Sequence, residues 1–277
     1  MKGKKNYKKP AKKIAVKAAA IVLALIYLIP LWMVFINSFK DRREANRFGI
    51  GLPSAWEFNN YGKVFEAGNI PRAFLNGVII ASGAVILILI FSSMAAFVIA
   101  RSHKKYVRGA YYLFLTGIVV PIAFIPTYLV LNELYLLNSY AGIILLHTTY
   151  GLPASIFLYT GFVNTVPREL DEAAIMDGAR LIRLYRSIVF PLLKPITSTL
   201  FIFNFVGAWN DIQMSLFFTG NDKWTLPLTM YKFYGAKTSS WNLIFADIIL
   251  TIAPLLVVYL AAQKHIVAGM TAGAIKG

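Results

Sequence analysis

The sequence predicts an all-α, polytopic membrane protein with six transmembrane helices. Hydrophobic residues make up 58% of the 277-residue chain. Charged residues make up 14%, well below the roughly 25% of soluble proteins. A membrane-spanning helix needs about 20 predominantly apolar residues, and six runs approach or exceed that length. The six runs are Ala18–Ile36, Gly77–Ala100, Ala110–Leu131, Tyr140–Val163, Ile196–Phe218 and Leu243–Ala262.

The first run follows a lysine-rich segment, an order that is also typical of a secretory signal. It is too long for a signal core, and no small-x-small cleavage site follows it, so we expect an uncleaved span. The predicted organisation is therefore a basic N-terminal segment (1–17), a six-helix transmembrane domain (18–265) and a C-terminal tail (266–277).

The positive charges are distributed unevenly among the connecting segments. With the N-terminus in the cytoplasm, inside segments hold 19 Lys and Arg residues and outside segments hold 9. The positive-inside rule therefore places both termini in the cytoplasm. The cluster Lys40–Arg47 is an outside exception that Asp41 and Glu44 partly offset. The net charge of +16 is explained by topology and contact with membrane lipid headgroups, and no nucleic-acid partner is expected.

Several kinds of chemistry are excluded. The chain has no cysteine, which excludes thiolate catalysis and cysteine metal sites. The three histidines, His103, His147 and His265, are scattered, and no HExxH or Ser/His/Asp grouping is present. No G-x-x-x-x-G-K-[ST] motif is present to cradle ATP phosphates. We therefore expect no catalytic residue, no metal site and no bound cofactor in this chain.

A polar segment between the fourth and fifth runs, Arg168–Arg186, carries the pattern of a short helix. Thr165 is a candidate N-cap, Pro167 suits a first turn, and acidic side chains crowd the N-terminal end. Gly178 fits a C′ position that needs positive φ, which predicts a helix over Pro167–Asp177. One interpretation is an ordinary capped surface helix that reverses the chain. The other is a helix that docks into another protein.

The spacing of Glu172, Ala173, Ala174, Gly178, Ile188 and Pro191 favours docking. Read as E-A-A-x₃-G-x₉-I-x-L-P, it departs from the pattern only at Phe190, which replaces leucine. It resembles the EAA loop of permease subunits in bacterial ATP-binding-cassette importers. The resemblance implies a cytoplasmic coupling loop at 165–191, whose helix transmits movement from an ATPase subunit.

Further motifs extend the resemblance to the maltose-permease branch of carbohydrate importers. They are Asn37-Ser38-Phe39-Lys40, Asn60-Tyr61, Phe74-Leu75-Asn76, a kink from Pro121 to Pro126, Leu152 through Phe162, Trp209-Asn210-Asp211 and the terminus Gly269–Gly277.

This resemblance implies a subunit of the bacterial cytoplasmic membrane that is not itself an enzyme. Its partners would be a homologous second permease, two ATPase subunits that bind ATP and Mg, and an extracytoplasmic sugar-binding protein. The cargo would be a mono- or oligosaccharide.

Polar residues at membrane depth mark the candidate substrate path: Asn204, Trp209, Asn210 and Asp211. Such groups are costly in lipid and are expected to face protein or water. Asn204 and Asp211 are seven residues apart, which places them on one helical face. The alternatives are that buried Asn and Asp only hold helices together, and that outer tryptophans form an aromatic belt. In the resembled family the second permease can also supply most of the sugar contacts.

Two further expectations follow from the resemblance. The outside loop Thr219–Ser240 would reach into the binding protein, and the tail Ala268–Gly277 would run extended into the ATPase pair unless it is frayed. Other functions stay open: an importer for a non-sugar solute, a secondary transporter or channel, and an integral-membrane enzyme. The last lacks a catalytic constellation, and the secondary transporter does not explain the docking helix.

Overall fold

The computed structural model describes residues 8–235 and 239–274, and within those ranges it contains helices and no β-strand. The chain divides into two compact units. The first comprises the residues up to Ile70 together with Thr229–Ile252, and the second comprises Pro71–Leu228 together with the residues from Ala253. The predicted all-α class is confirmed.

Three helices begin the first unit: α1 (Lys8–Asn37), α2 (Arg42–Ala45) and α3 (Asn59–Gly68). Its later part contains a 3₁₀ turn at Met230–Lys232 and the beginning of the long helix at Trp241–Ala274, which is α14 below. Only 6% of an 18-residue apolar window within the Val16–Asn37 stretch of α1 is buried by the described residues, so its apolar side chains are left for lipid or another protein to cover.

Two asparagines hold the end of α1 in the first unit. Asn60 Nδ2 donates hydrogen bonds to the carbonyls of Ser38 and Lys40, both at 2.9 Å, and Asn60 Oδ1 accepts one from Asn242 Nδ2 at 2.9 Å. Asn37 Nδ2 donates to the Gly49 carbonyl at 2.8 Å. These bonds satisfy backbone carbonyl groups at and after the end of α1 that would otherwise have no partner. The motifs Asn37-Ser38-Phe39-Lys40 and Asn60-Tyr61 therefore have a structural role.

The second unit contains the helices that build the candidate site. They are α4 (Ile70–Arg101, whose first residue belongs to the first unit), α5 (Lys105–Val119), α6 (Phe124–Glu133), α7 (Tyr140–Val163), α8 (Glu169–Met176), α9 (Leu181–Leu184), a π-helix (Tyr185–Val189), α10 (Phe190–Leu192), α11 (Lys194–Trp209), α12 (Gln213–Phe218), a 3₁₀ turn (Asn221–Lys223) and α13 (Leu226–Thr229).

The fourth predicted run, Tyr140–Val163, is confirmed as α7 with the same bounds. The helix begins there because Ser139 Oγ accepts a hydrogen bond from the Gly142 amide at 2.9 Å. Glycine is required at 142, since a Cβ atom there would lie 2.1 Å from the Leu136 carbonyl oxygen. Sequence and structure agree here because the cap lies directly beside the apolar run.

Fewer continuous spans are present than the six predicted. Within 8–235 and 239–274, three helices are long and apolar enough to cross a membrane: the Val16–Asn37 part of α1, α4 and α7. The number rises to five if two bent pairs each count as one span. The Trp241–Val257 stretch of α14 is apolar but shorter. The six-span topology and the orientation of the termini therefore stay predictions.

The third predicted run, Ala110–Leu131, is not one kinked helix. Its two parts, α5 and α6, meet at an angle of 117°. Val120 is extended (φ −73°, ψ 119°) because the residue before a proline, here Pro121, disfavours helical geometry. Pro126 lies in the first turn of α6, where a missing amide hydrogen costs no helical bond.

The fifth and sixth predicted runs also differ from the structure. The fifth, Ile196–Phe218, is interrupted at residues 210–212 between α11 and α12. The sixth lies within α14, which continues as helix to Ala274, so the tail from Ala268 is not extended as far as Ala274. Residues 275–277 of the predicted tail lie outside the described residues.

One apolar cluster in the second unit joins α4, α7, α8, α9 and α11. Its buried members include Ala96, Tyr159, Val163, Ala174 and Leu200. Two hydrogen bonds at its edge link helices through hydroxyl groups: Tyr159 Oη donates to Thr197 Oγ1 at 2.8 Å, and Ser93 Oγ lies 2.7 Å from Tyr185 Oη. The short helix α8 packs against this cluster through Ala174.

Candidate functional site

The helix of the predicted coupling segment, α8, ends as the sequence predicts. Gly178 has φ +79°, and its amide donates to the Ile175 carbonyl at 2.9 Å. The Ala179 amide donates to the Ala174 carbonyl at 2.9 Å. These two bonds form a Schellman motif, which satisfies carbonyls that the helix leaves free. The prediction of a left-handed glycine at 178 is confirmed.

The beginning of α8 differs from the prediction. The helix starts at Glu169, not at Pro167, and Arg168 occupies the N-cap position without a side-chain capping bond. Thr165 Oγ1 donates to the Phe162 carbonyl at 2.8 Å, so this side chain closes the end of α7 and does not cap α8. The acidic residues Glu169, Asp171 and Glu172 lie in the first turn, where they favour the positive end of the helix dipole.

The two sides of α8 have different environments. Glu172 and Ala173 are exposed, and Met176 is 86% exposed. Asp171 and Ala174 are buried, and Ala174 belongs to the apolar cluster beneath the helix. The small side chain of Ala174 therefore allows close packing against this chain's own helices, whereas that of Ala173 faces outward.

An ion pair fastens α8 to the end of α4. Arg101 Nε lies 2.5 Å from Asp171 Oδ2, and the two side chains are only 14% and 11% exposed. Arg101 Nη2 also donates to the Val166 carbonyl at 3.1 Å, and Arg168 Nη2 donates to the Ala100 carbonyl at 3.2 Å. Sequence reasoning missed this pair, because the partners are 70 positions apart and nothing local marks them.

The last two residues of the predicted motif, Ile188 and Pro191, lie at the irregular start of the next helical stretch. Ile188 is in the π-helix and packs against the apolar cluster. Pro191 has no amide hydrogen and clashes with the carbonyl four residues earlier in a regular α-helix. The wider π turn directly before it is closed by the Phe190 amide donating to the Tyr185 carbonyl, five residues back.

A cavity of about 670 Å³ lies in the second unit, within its membrane helices. Its lining is mostly apolar, with a few polar groups. The lining residues are Ile88, Gly117, Ile118, His147, Tyr150, Gly151, Ala154, Ile202, Phe203, Asn204, Val206, Gly207, Ala208, Asp211 and Met214.

Two of the four predicted path residues line this cavity, but not for the predicted reason. Asn204 is in α11, and Asp211 follows the helix end at Trp209, so no single helical face carries both. Asn204 Nδ2 donates to Ser155 Oγ at 3.1 Å and to the Leu200 carbonyl at 2.8 Å. Asp211 accepts hydrogen bonds from the Met214 and Ser215 amides at 3.2 and 3.0 Å, which orients its carboxylate at the start of α12.

The cavity also brings in His147, which the sequence presents as an isolated histidine. Its ring is 6% exposed, and its Nε2 lies 3.7 Å from Asp211 Oδ2. Within the described part of the chain, Nε2 has no hydrogen-bond partner. No spacing rule connects a histidine in α7 with an aspartate 64 positions later, so only the fold reveals their proximity.

The other two predicted path residues are not among those that line the cavity. Trp209 is 3% exposed and packs on Phe74 and Phe205, with ring centroids 5.8 and 5.7 Å apart. Gly77 allows this approach, since a Cβ atom there would lie 3.3 Å from the Trp209 ring. Asn210 is exposed at the C-cap of α11. In the structure, Trp209 thus packs helices together.

Part of the predicted outer loop, Thr219–Ser240, is held by a buried asparagine. Asn76 Nδ2 donates to the carbonyls of Asp222 and Trp224 at 3.1 and 2.9 Å, and Asn76 Oδ1 accepts from Tyr140 Oη at 2.6 Å. A hydrogen bond from Lys223 lowers the pKa of the exposed Asp222 carboxyl. Residues 236–238 of the loop lie outside the described residues.

Comparison of the sequence with known proteins identifies the family of the chain. Residues 88–272 match the family described as "binding-protein-dependent transport system inner membrane component". The chain is 33% identical over 262 residues to the melibiose/raffinose/stachyose import permease protein MelC of Bacillus subtilis, covering 93% of this chain and 95% of that protein. It is 36% identical over 259 residues to the multiple sugar-binding transport system permease protein MsmG of Streptococcus mutans, covering 91% and 93%.

The fold also resembles a solved structure. A chain of a bacterial ABC transporter involved in the import of the acidic polysaccharide alginate matches with a TM-score of 0.80 and 20% identity, covering 95% of this chain and 99% of that one. The resemblance that the sequence motifs suggested is thereby confirmed at the level of the family. The chain belongs to the binding-protein-dependent transport system inner membrane components.

Proposed function

We propose that this chain is a permease subunit of an ATP-driven, binding-protein-dependent sugar importer in a bacterial cytoplasmic membrane. It forms half of the translocation path together with a homologous second permease. Two ATPase subunits bind ATP and Mg, and an extracytoplasmic sugar-binding protein delivers the cargo. The names of the relatives, which include import of melibiose, raffinose and stachyose, support the assignment to sugars.

The observation that carries the proposal is the two-sided environment of α8. Its outer side presents Glu172, Ala173 and Met176, which no described residue of the chain covers. Its inner side is fixed by the Arg101–Asp171 ion pair and by Ala174 in the apolar cluster. A helix that served only to reverse the chain would not need a buried ion pair to a distant span.

This arrangement suggests how movement passes through the chain. An ATPase subunit that displaces the outer side of α8 must also move the end of α4, because a buried ion pair separates only at high energetic cost. Through Ala174 the same push reaches Tyr159 and Val163 of α7. Because packed interiors transmit displacement and do not absorb it, the helices move as a group and the access of the path alternates. The chain itself performs no bond chemistry.

The coupling role extends to the residues after α8. Gly178 ends the docking helix, while Ile188 and Pro191 set the direction in which the chain enters α11. Asn204 and Asp211 supply polar groups to the path, while Trp209 packs on Phe74 and Phe205 beside these helices and Asn210 is exposed at the C-cap of α11. Six spans with cytoplasmic termini, including the bent pairs as spans, complete the proposed topology.

One relative favours a second cargo class. The chain is 27% identical to the osmoprotective compounds uptake permease protein GgtD of Synechocystis, which suggests an importer for a non-sugar solute as the alternative.

Reconstituted transport tests the proposal. The chain, its second permease and the ATPase subunits are placed in liposomes with ATP inside, and the binding protein is added outside. Uptake of neutral sugars such as melibiose and raffinose, dependent on both ATP and the binding protein, is expected. Uptake that persists without ATP would contradict an ATP-driven importer. ATP-dependent uptake restricted to other osmoprotective solutes would favour the alternative.

A further inference from the structure

The second-unit cavity contains a buried polar atom that no group of the described chain satisfies. His147 Nε2 has no hydrogen-bond partner there, although the ring is 6% exposed. Asp211 Oδ2, at 3.7 Å, is too distant for a hydrogen bond. An unsatisfied buried polar group is costly, and in native proteins water or a ligand commonly pairs with it. A molecule bound in the cavity would therefore be expected to offer a polar group to His147 Nε2.

The cavity is large enough for a ligand much bigger than water. A water molecule occupies about 30 Å³, whereas this cavity measures about 670 Å³. Small-molecule sites commonly have volumes of about 300–1,000 Å³ with mostly apolar walls and a few polar groups that fix orientation. This cavity has that composition, with His147, Asn204 and Asp211 as the orienting groups.

The chemistry of the lining selects the ligand class. Tyr150 and Phe203 supply exposed aromatic faces, on which the C–H face of a sugar ring can pack. Asp211 supplies a carboxylate, and among the described residues of the lining there is no lysine or arginine to neutralise an anion. A lipid chain would leave His147 without a partner. A neutral molecule with both hydroxyl groups and an apolar face satisfies every part of the site.

We propose that this cavity binds a neutral sugar and that His147 is its specificity-determining contact. Asn204 Nδ2 donates to Ser155 and Leu200, and the Asp211 carboxylate accepts from amides at the start of α12, whereas His147 Nε2 has no hydrogen-bond partner among the described residues and can pair with a sugar hydroxyl. A uronic acid would place its carboxylate beside Asp211, and such a like-charge contact is strongly unfavourable in a desolvated site. The inference rests on the proposed function and adds a direct contact and a cargo class to it.

A matched pair of glycine substitutions tests whether the cavity is occupied during transport. Gly207 lines the cavity, and a Cβ atom there would meet no atom within 4 Å, so Gly207→Phe adds a bulky side chain at an open position of the lining. Gly161, in α7, is equally open and does not line the cavity, so Gly161→Phe is the control. Gly207→Phe is expected to reduce kcat/KM for neutral sugar uptake at least tenfold, with the control unchanged. Equal uptake by the two variants would overturn the proposal.

Substitutions of His147 test the contact itself. His147→Leu is expected to raise KM for neutral sugars about five- to tenfold, the size of one lost hydrogen bond, with a smaller change in kcat. His147→Gln keeps a hydrogen-bonding group at a similar reach and should recover most of the affinity. Unchanged KM in His147→Leu, or a loss that glutamine does not rescue, would assign His147 to structure alone.

Protection of a cysteine in the cavity from a thiol reagent shows which class of sugar binds there. Because the chain has no native cysteine, Gly207→Cys supplies its single thiol, and mass spectrometry of this subunit measures labelling by a small thiol reagent. At least one of melibiose, raffinose and maltotriose should slow labelling, and digalacturonate should not. Protection by digalacturonate, or by none of the neutral sugars, would overturn the inference. Wild-type uptake that fails altogether would instead count against the proposed function.

Discussion

Arg101 at the end of α4 and Asp171 in the first turn of α8 form an ion pair at 2.5 Å, largely enclosed by protein. The pair links the first helix of the predicted coupling segment to a continuous apolar helix that is long enough to cross a membrane. Neither residue belongs to the motif that marked the segment, so substitutions of the pair test this contact without changing the motif.

The first prediction concerns this pair. Arg101→Gln and Asp171→Asn should each lower the melting temperature of the purified complex, since removing one partner of a buried pair costs about 3–5 kcal/mol. Both should also reduce ATP hydrolysis stimulated by the sugar-loaded binding protein. The double variant should lose less than the sum of the single losses. Strictly additive losses would show that the two side chains do not act together.

Neighbouring alanines of α8 provide the second prediction. Ala173→Trp changes an exposed position and should leave the melting temperature of the isolated chain close to wild type, while preventing co-purification of the ATPase. Ala174→Trp enlarges a buried position and should destabilise the chain itself, because overpacking a core costs about 1–3 kcal/mol. Thermal melting and co-purification on the same preparations separate the two effects. A lower melting temperature for Ala173→Trp would show that the Ala173 side chain does not face outward.

Gly178 gives the third prediction. Its φ of +79° disfavours a β-branched residue by about 1–3 kcal/mol, and no atom lies within 4 Å of a Cβ placed there. Gly178→Val should therefore destabilise the segment through backbone strain alone, and Gly178→Asn should be tolerated better. Gly161→Val is the control without positive φ. Equal melting temperatures for the two valine variants would argue against strain at 178.

The fourth prediction distinguishes two roles for Asn204, contact with the transported sugar and packing between helices. Asn204→Leu removes the hydrogen bond to Ser155, and such bonds between membrane helices contribute about 0.6 kcal/mol on average. A small fall in melting temperature is expected, matched by Ser155→Ala. Only Asn204→Leu should also impair sugar uptake, because Ser155 does not line the cavity. If both variants transported equally well, Asn204 would have a packing role only.

The fifth prediction fixes the topology. Single cysteines at Lys63, Tyr135 and Asn221, all exposed positions, should react with an impermeant reagent on intact cells. Cysteines at Lys105 and Arg180 should react only after the membrane is permeabilised. The charge asymmetry of 19 inside to 9 outside motivates this orientation. The reverse labelling pattern would invert it.

Local signals were sufficient for some elements and not for others. The apolar run Tyr140–Val163 predicted both bounds of α7, and Gly178 predicted the end of α8, because each signal lies within or directly beside its helix. The kink from Pro121 to Pro126 was predicted, but the 117° angle that separates α5 from α6 and the break after Trp209 were not, because an apolar composition does not encode the direction of the backbone. Asp171 and His147 were missed because their neighbours, Arg101 and Asp211, are distant in sequence and meet only in the fold.

The π-helix at Tyr185–Val189 makes this part of the chain sensitive to its exact length. A π turn holds one residue more than an α turn, so deleting one residue from it would leave a regular α-helix, in which the Pro191 ring would clash with the carbonyl four residues earlier. The helix would then bend or break here, and the connection between α8 and α11 would change direction. Deleting one residue of the π-helix is therefore expected to destabilise the chain far more than deleting one residue of the short connection Ser102–Lys104, which is not helical.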